Sequence, residues 1–261
     1  MNLRSQVALV RQKWISSVYS RRVSLGNRGP IVSFTFDDFP RSALTIGGQI
    51  LKNYGVRGTY YAAVGLMNKS NDLGEQFRRD DLDALLSDGH ELASHTFSHV
   101  SCYSVSDVNF RKEVEAGRRA IRELTCRDDS GNFAFPFGEV TAKAKKTMGF
   151  AVLSSRSIWG GLNGPEVDLS LLRANSLYGD RDKFAQVREL ILDNQRRRTW
   201  LIFYSHDVDN TPSRYGCTPE LLEFAVSLAS RAGRILTVEE VVTDLIACPL
   251  DREPASVSGS Y

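Results

Sequence analysis

The sequence predicts an α/β fold in which helices surround a parallel sheet or a (β/α) barrel. From about residue 31 onward, short apolar stretches that suit strands alternate with longer stretches that suit helices. The composition of the 261 residues, 42% hydrophobic and 25% charged, is that of an ordinary globular protein. The sequence contains no internal repeat, low-complexity segment or linker, so we expect one barrel domain.

The first predicted strand is the most informative stretch of the chain. Residues 31–38, IVSFTFDD, run through apolar and β-branched residues and end in two adjacent aspartates, Asp37 and Asp38. This pattern is typical of a buried strand that delivers acidic side chains to the carboxyl edge of a sheet. Two neighbouring carboxylates repel each other, so an ordered pair requires a cation or a shared proton. An acidic turn after a strand would read the same way, because aspartate is common in turns.

The remaining elements follow in order along the chain. Helices are predicted near residues 41–53, 80–87, 107–124, 141–149, 182–197, 218–233 and 236–248, and strands near 57–63, 91–95, 132–136, 150–154, 171–178 and 200–206. Capping residues set several boundaries. Ser106 is an N-cap candidate, and Thr218-Pro219-Glu220 opens a helix in the order cap, proline, acid.

Residues 2–22 predict a basic amphipathic helix ahead of the barrel. Apolar residues recur there at helical spacing: Leu3, Val7, Val10, Trp14 and Val18. Such a helix can rest on an anionic membrane surface as a peripheral contact or dock on the domain behind it, and docking is the interpretation we favour. We therefore divide the chain into the helix and turn (1–28), the barrel domain (29–249) and a polar tail expected to be disordered (250–261).

Charge and cysteine content exclude several classes of function. The formal net charge is +2, and we expect no nucleic-acid partner. The four cysteines have no short spacing of the kind found in zinc knuckles or disulfide frameworks, and they suit free thiols in a reducing compartment. No apolar run approaches the length of a membrane span, and the first residues lack the pattern of a signal peptide. We therefore expect a cytoplasmic protein.

Three of the four histidines fall where predicted strands end. His95 and His99 are four residues apart, which puts both imidazoles on one face of a helical or tightly turned backbone. With Asp38 they form a set of two histidines and one carboxylate, which suits a metal such as Zn²⁺ and leaves positions open for water and substrate. His206 ends another strand, whereas His90 precedes its strand and is interpreted as structural. A pair of surface histidines without a ligand is the alternative.

Four short motifs stand in a fixed order along the chain. They are Thr35-Phe36-Asp37-Asp38, Gly89-His90-Glu91-Leu92 with His95-Thr96-Phe97-Ser98-His99, Phe135-Pro136-Phe137-Gly138, and Ser205-His206. In this order they resemble the motifs of polysaccharide deacetylases, the group also called the NodB-homology domain or carbohydrate esterase family 4. The resemblance covers roughly residues 30 to 245. It implies a distorted (β/α) barrel of the polysaccharide deacetylase type, with a metal at its carboxyl rim.

The activity implied by this resemblance is metal-dependent removal of N-acetyl groups from amino sugars in a glycan or oligosaccharide. Asp38, His95 and His99 match the metal ligands of the family, and a divalent ion, Zn²⁺ first, is the expected cofactor. The expected partner is an N-acetylated saccharide substrate.

The resemblance also implies three catalytic groups. Asp37 matches the general base that accepts a proton from water, and His206 matches the general acid that protonates the departing amine. Phe137 stands where the family usually has tyrosine. That residue contributes its backbone N–H to the oxyanion, so the loss of a phenol hydroxyl need not matter.

Two positions depart from the family pattern. Where the family has an arginine that holds the catalytic base, this chain has Ala134. We therefore expect a substitute cation beside the base, with Arg156 the first candidate and Arg173 the second. The aspartate that orients the catalytic histidine is also missing from residues 154–159. Asp207 is a doubtful replacement, because neighbours on a strand point to opposite faces.

Two alternatives remain open at this level. A hydrolase of the same fold could cleave a small amide or another acyl group. A glycan-binding domain that has lost turnover is the other alternative, and the two departures favour it. The joint presence of Asp37, the metal set and His206 favours an enzyme.

Overall fold

The computed structural model of the protein describes residues 3–247. The predicted tail at 250–261 lies outside the described residues, and so do the side chains of Leu3 and Val7 in the first helix. The division into segments 1–28, 29–249 and 250–261 therefore stays a prediction.

The described chain alternates helices and short strands. The helices are α1 (Leu3–Ser17), α2 (Gln49–Asn53, continuing a π-helical segment Ala43–Gly48), α3 (Arg79–Ser87), α4 (Asp107–Thr125), α5 (Ala142–Ala151), α6 (Phe184–Arg197), α7 (Pro219–Ala232) and α8 (Val238–Ala247). The strands are β1 (Arg22–Ser24), β2 (Ile31–Asp38), β3 (Thr59–Ala62), β4 (Ser70–Asn71), β5 (Gly74–Glu75), β6 (Glu91–Ser94), β7 (Asn132–Ala134), β8 (Ser154–Arg156), β9 (Glu166–Asp168), β10 (Asn175–Ser176), β11 (Trp200–Ser205) and β12 (Arg234–Ile235).

A curved, all-parallel sheet forms the centre of the molecule. Its strand order is β10-β11-β2-β3-β6-β7-β8, and β12 pairs with β2 as an eighth strand. The segment from Leu172 to Ser176 connects the two ends of this sheet. Leu172 bridges to Arg156 in β8, and a few residues later β10 pairs with β11. Parallel strands connected by helices and closed in this way confirm the predicted distorted (β/α) barrel.

Strand β2 is the axis of the sheet, and all eight of its residues are buried. One face carries Phe34 and Phe36, which join the apolar layer between the sheet and the outer helices. The other face carries Ser33, whose hydroxyl accepts from Trp200 Nε1, and Thr35, which donates to the Phe203 carbonyl. Because side chains alternate along a strand, this second face also directs Asp37 into the barrel.

Most predicted helices are found within a few residues of their expected positions, and the caps at Ser106 and Thr218 each accept a backbone N–H. The strand predicted at 150–154 is wrong. Helix α5 continues through Ala151, and β8 begins only at Ser154. The apolar Phe150 that favoured a strand is instead 86% exposed on the helix surface.

Helix α1 ends at Ser17, earlier than predicted, and docks through a residue outside the predicted apolar stripe. Ile15 is buried against the cluster beneath α4 and α5. The buried Lys145 of α5 donates to the carbonyls of Ile15 and Ser16, which caps the end of the helix. Val10 and Trp14 remain exposed. No helix within residues 3–247 is long and apolar enough to cross a membrane.

His90 makes a structural contact that gives a pH-dependent prediction. Its Nδ1 accepts the Gly58 N–H at 3.0 Å, and burial lowers the pKa of His90 from 6.5 to about 4. His90 binds its proton at higher pH in the unfolded chain than in the folded chain. The free energy of unfolding therefore falls as pH drops from about 6.5 to about 4. We expect this group to contribute about 2 kcal/mol of the loss by pH 5, or about 4–8 °C in melting temperature.

His90→Asn retains an acceptor for Gly58 but does not titrate. Its melting temperature should therefore fall less than that of the wild type between pH 7 and pH 5. Equal acid sensitivity of the two proteins would show that His90 is not responsible.

Candidate active site

The predicted site residues meet at the carboxyl rim of the barrel. Asp37 and Asp38 end β2, and the loop after β6 carries His95 and His99. His206 follows β11, which pairs directly with β2. Because parallel strands all end at the same rim, residues distant in sequence are brought to one cavity.

Asp38, His95 and His99 form a compact set of potential metal ligands. Their ligand atoms all lie within 4.8 Å of one another. Nε2 of His95 and Nε2 of His99 are 3.4 and 3.0 Å from Asp38 Oδ1. Asp38 and His95 are buried and His99 is partly buried, so the three ligands converge on a point at the base of the cavity.

The backbone at these ligands is unusual and held in place from behind. Asp38, Thr96 and His99 all have positive φ angles, of 63°, 62° and 56°. Non-glycine residues adopt this region rarely, and such outliers cluster at functional sites. Helix α4 supports the histidine loop closely, because a Cβ added to Gly117 would lie 2.8 Å from the Thr96 backbone. The Phe97 N–H donates to the Glu113 carbonyl of the same helix.

The chemistry of this set fits a divalent cation. His95 Nδ1 lies 2.8 Å from the Ala134 carbonyl, which only accepts, so Nδ1 carries the proton and Nε2 presents its lone pair. Burial lowers the pKa of His95 to about 3 and that of His99 to about 4, which keeps both rings neutral. Buried Asp38 Oδ1 has no hydrogen-bond partner, and burial together with the charge of Asp37 raises the pKa of Asp38 to about 7. Two neutral imidazoles and an uncompensated carboxylate are the donors that Zn²⁺ prefers.

Asp37 has its own cation. The Arg156 guanidinium of β8 forms a buried ion pair with Asp37 Oδ1. Burial alone would raise the pKa of Asp37, but the nearby Arg156, His95 and His206 together outweigh burial and hold that pKa below its usual value. Arg156 is the Cα partner of Ala134 in the β7–β8 register, so the cation comes from the strand next to the vacant position.

Arg173, the second candidate, lies elsewhere. Its guanidinium donates to the Gly160 carbonyl at 3.0 Å.

His206 is oriented by a main-chain group. Its Nδ1 lies 3.2 Å from the Tyr215 carbonyl, an acceptor, so Nδ1 is the protonated nitrogen. Asp207 does not take part, because its carboxylate accepts from both the N–H and the hydroxyl of Ser213. Burial lowers the pKa of His206.

Phe137 lies at the mouth of the cavity and is 58% exposed. Its φ is +58°, and its ring centroid is 4.5 Å from that of His99. The next residue must be glycine, since φ of Gly138 is +62° and an added Cβ would overlap Ile158.

The cavity has a volume of about 520 Å³ and holds all six predicted ligand and catalytic residues in its lining. The lining also includes residues that were not predicted as site residues, among them Leu73, Tyr178, Tyr204 and Tyr215. Tyr204 directly precedes the Ser205-His206 motif, so the end of β11 was a signal for it. The other three sit in loops whose position depends on distant contacts, and no local pattern marks them.

Comparison with known families agrees with this geometry. Residues 25–152, which carry the first three motifs, match the family model described as polysaccharide deacetylase. The fold, the site and this match define a hydrolase that deacetylates carbohydrate. This match covers 128 of the 261 residues and assigns that part of the chain to the polysaccharide deacetylase family. Among curated proteins, none matches the sequence significantly.

Solved structures show the same fold at low sequence identity. The Xyl-CE4 domain of a multidomain xylanase from the hindgut metagenome of Trinervitermes trinervoides has a TM-score of 0.55 and 19% identity, covering 86% of this chain and 95% of that one. The family 4 acetyl xylan esterase from Clostridium thermocellum, solved with a cobalt ion, has a TM-score of 0.54 and 19% identity. The match covers 82% of this chain and 91% of the esterase chain. Peptidoglycan deacetylase PdaC from Bacillus subtilis has a TM-score of 0.50 and 15% identity. The match covers 86% of this chain and 96% of the PdaC chain.

The two adjacent aspartates should differ in their effect on metal binding. Asp38→Asn replaces an anionic ligand with a neutral one, so affinity for Zn²⁺ should fall by about 10–100-fold or more. Asp37→Asn leaves the three ligands in place, so affinity should stay within a fewfold of wild type. Calorimetric titration of the metal-free proteins with Zn²⁺ measures both values. Loss of the metal in Asp37→Asn would make both carboxylates ligands.

Proposed function

We propose that this protein removes N-acetyl groups from amino-sugar units of a glycan or oligosaccharide in a metal-dependent hydrolysis. The observation that carries the proposal is the unpartnered Asp38 oxygen facing two neutral imidazoles. These groups lie in one cavity with a second, separately paired aspartate and a histidine. Ligands, a base and an acid around one open space are the parts that metal-assisted hydrolysis requires.

Asp38, His95 and His99 would hold the metal, with Zn²⁺ the first choice from the ligand types. When bound, a divalent cation there supplies Lewis acidity toward the acetamide carbonyl and lowers the pKa of a water molecule. The Ala134 carbonyl keeps His95 in the tautomer that binds through Nε2.

Asp37 would act as the general base. Its ion pair with Arg156 keeps it ionised and fixes its orientation, so it is prepared to accept a proton from the attacking water. His206 would act as the general acid at the sugar nitrogen. Its Nδ1–H is engaged by the Tyr215 carbonyl, which leaves Nε2 as the nitrogen that exchanges protons in the cavity.

Phe137 would donate its backbone N–H to the oxygen that becomes negative in the transition state. The proposal rests on its place in the cavity lining and on its left-handed backbone, which sets the direction of the adjoining peptide groups. Because a backbone donor carries the role, phenylalanine can serve where the family usually has tyrosine.

The substrate class is supported by the family match and by the open cavity. The acetyl xylan esterase and the peptidoglycan deacetylase of similar fold are both named for acylated polysaccharides. An amide substrate places a basic nitrogen at the leaving group, which requires protonation as it departs, and His206 is present for that step.

A binding domain without turnover is the less favoured alternative. The arginine missing at position 134 was one of its two supports, and Arg156 provides the corresponding cation from the adjacent strand.

Acetate release from a panel of N-acetylated oligosaccharides tests the function. The Zn²⁺-loaded protein should release acetate, the chelated protein should not, and restored Zn²⁺ should recover the activity. Asp37→Asn should keep the metal and release acetate about a hundredfold more slowly or worse. An O-acetylated xylan in the same panel separates amide from ester hydrolysis. If no member yields acetate from the loaded enzyme, the proposal is wrong.

Arg156 can be tested by a conservative substitution. Arg156→Lys keeps the charge but loses the planar contact with Asp37, so kcat should fall about 10–100-fold while Zn²⁺ affinity changes little. Arg173→Lys is the matched control, because the Arg173 guanidinium donates to the Gly160 carbonyl and not to Asp37, and its kcat should match wild type. Equal kcat for both variants and the wild type would exclude Arg156 from the mechanism.

A further inference from the structure

Exposed apolar side chains collect on one side of the barrel, around α1 and α5. Phe150 of α5 is 86% exposed, and Val10 and Trp14, one turn apart on α1, are 68% and 56% exposed. Leu9 and Tyr19 are exposed as well. Single exposed apolar residues are ordinary on a protein surface, but a contiguous group of them marks a surface that binds a partner.

These residues belong to one continuous surface, because α1 and the turn after it lie against α5. Lys145 donates to the carbonyls that end α1, and the Nζ of the next residue, Lys146, lies 5.1 Å from the ring centroid of Tyr19. Phe150 is one turn beyond Lys146 on α5. The Arg21 guanidinium donates to the carbonyl immediately before Phe150. We call this surface the α1–α5 face, and it consists of Leu9, Val10, Arg11, Lys13, Trp14, Tyr19, Lys146 and Phe150.

The α1–α5 face is basic. Residues 1–36 contain six basic and no acidic residues, and α5 contains three lysines and no acidic residue. The formal net charge of the whole chain is only +2, so the rest of the chain is acidic on balance. Lys143 and Lys145 of α5 are paired with carboxylates. Within residues 3–247, no carboxylate pairs with the three cations of the face, Arg11, Lys13 and Lys146.

An apolar surface with unpaired cations fits an anionic bilayer. Tryptophan and tyrosine rings combine an apolar body with a polar group, and they are enriched where lipid headgroups meet acyl chains. Lysine and arginine can lay their aliphatic stems on apolar surface while their charged ends reach lipid phosphates. A two-fold dimer through this face would set its cations against the same cations of the second copy. Charge therefore favours an anionic occupant, and the aromatic residues favour a lipid surface.

We propose that the α1–α5 face binds the surface of anionic membranes, with Val10, Trp14 and Phe150 at the depth of the lipid headgroups. Docking of α1 on the barrel through Ile15 supports this role, because it fixes the helix with Val10 and Trp14 exposed to solvent. Membrane binding of this kind is independent of the reaction proposed for the rim.

Sedimentation of the full-length protein with vesicles tests this binding. Vesicles of phosphatidylglycerol mixed with phosphatidylcholine should carry the protein into the pellet, and vesicles of phosphatidylcholine alone should not. Added salt should weaken the binding, because it screens the attraction between exposed charges. Tryptophan emission should shift to shorter wavelength when anionic vesicles are added, since the exposed Trp14 ring leaves water.

Two pairs of variants separate the apolar contribution from the electrostatic one. Trp14→Ser should lower vesicle affinity about tenfold or more, whereas Trp14→Phe keeps an aromatic ring, should bind nearly as well as the wild type and should lose the emission shift. Lys13→Glu should lower affinity at least about fivefold, the contribution of one basic residue near an anionic surface. Arg231→Glu is the matched charge control, because Arg231 is exposed on α7, which packs against α2 and α6, and it should bind nearly as well as the wild type.

Melting temperatures confirm that these surface variants are folded. Equal sedimentation with anionic and neutral vesicles, or wild-type affinity in both Trp14→Ser and Lys13→Glu, would overturn the proposal. No sedimentation with either kind of vesicle would overturn it in favour of an acidic protein partner. Analytical ultracentrifugation without lipid gives a further check, because self-association that Trp14→Ser abolishes would mean that a second copy covers the face.

Discussion

Two aspartates stand side by side at the end of a buried strand, and each must have its own positive partner. Asp37 and Asp38 are 3% and 5% exposed, so water does little to screen their repulsion. Asp37 is paired with Arg156 inside the barrel. Within residues 3–247 no cation pairs with Asp38, whose neighbours are the imidazoles of His95 and His99 that burial keeps neutral. A divalent cation between Asp38 and these rings would complete the charge balance of the rim.

The arginine that satisfies Asp37 is held more firmly than an ion pair alone would achieve. Its Cζ lies 4.8 Å from the ring centroid of Tyr61 and 5.4 Å from that of Tyr204, so two aromatic faces bracket the guanidinium. Removing one member of a buried ion pair typically costs about 3–5 kcal/mol, because the remaining charge is uncompensated. Position 134 can therefore be alanine only because its register partner on β8 supplies the charge.

The same constraint accounts for the tight support around the rim. Two of the three candidate ligands, Asp38 and His99, occupy strained backbone conformations, which cost about 1–3 kcal/mol each and persist only where neighbouring structure determines them. Helix α4 supports the histidine loop through the close contact at Gly117, and the turn at Phe137 depends on Gly138 beneath Ile158. Two of the loops that complete the cavity are therefore packed closely against the residues behind them.

Local patterns were enough to predict much of this protein. The apolar run of β2 ending in two acids, the four-residue spacing of His95 and His99, and the caps at Ser106 and Thr218 are all short-range features. They indicated the barrel class and brought the candidate ligands to one rim, because parallel strands share a direction. The sequence ranked Arg156 ahead of Arg173, but the ion pair of Arg156 with Asp37 depends on the register between β7 and β8, which no local pattern encodes.

Other features were decided only by contacts between distant segments. Ile15, which lies outside the predicted stripe, anchors α1, because Lys145 and the α4–α5 cluster meet it there. The start of β8 is set by its pairing with β7, because the apolar residues that precede it suit a helix equally well. The hairpin of β4 and β5 reaches the cavity lining because Phe77, which follows it, stacks on Phe39. Sequence alone therefore determined which groups are available for chemistry, and long-range packing determined which of them act on one another.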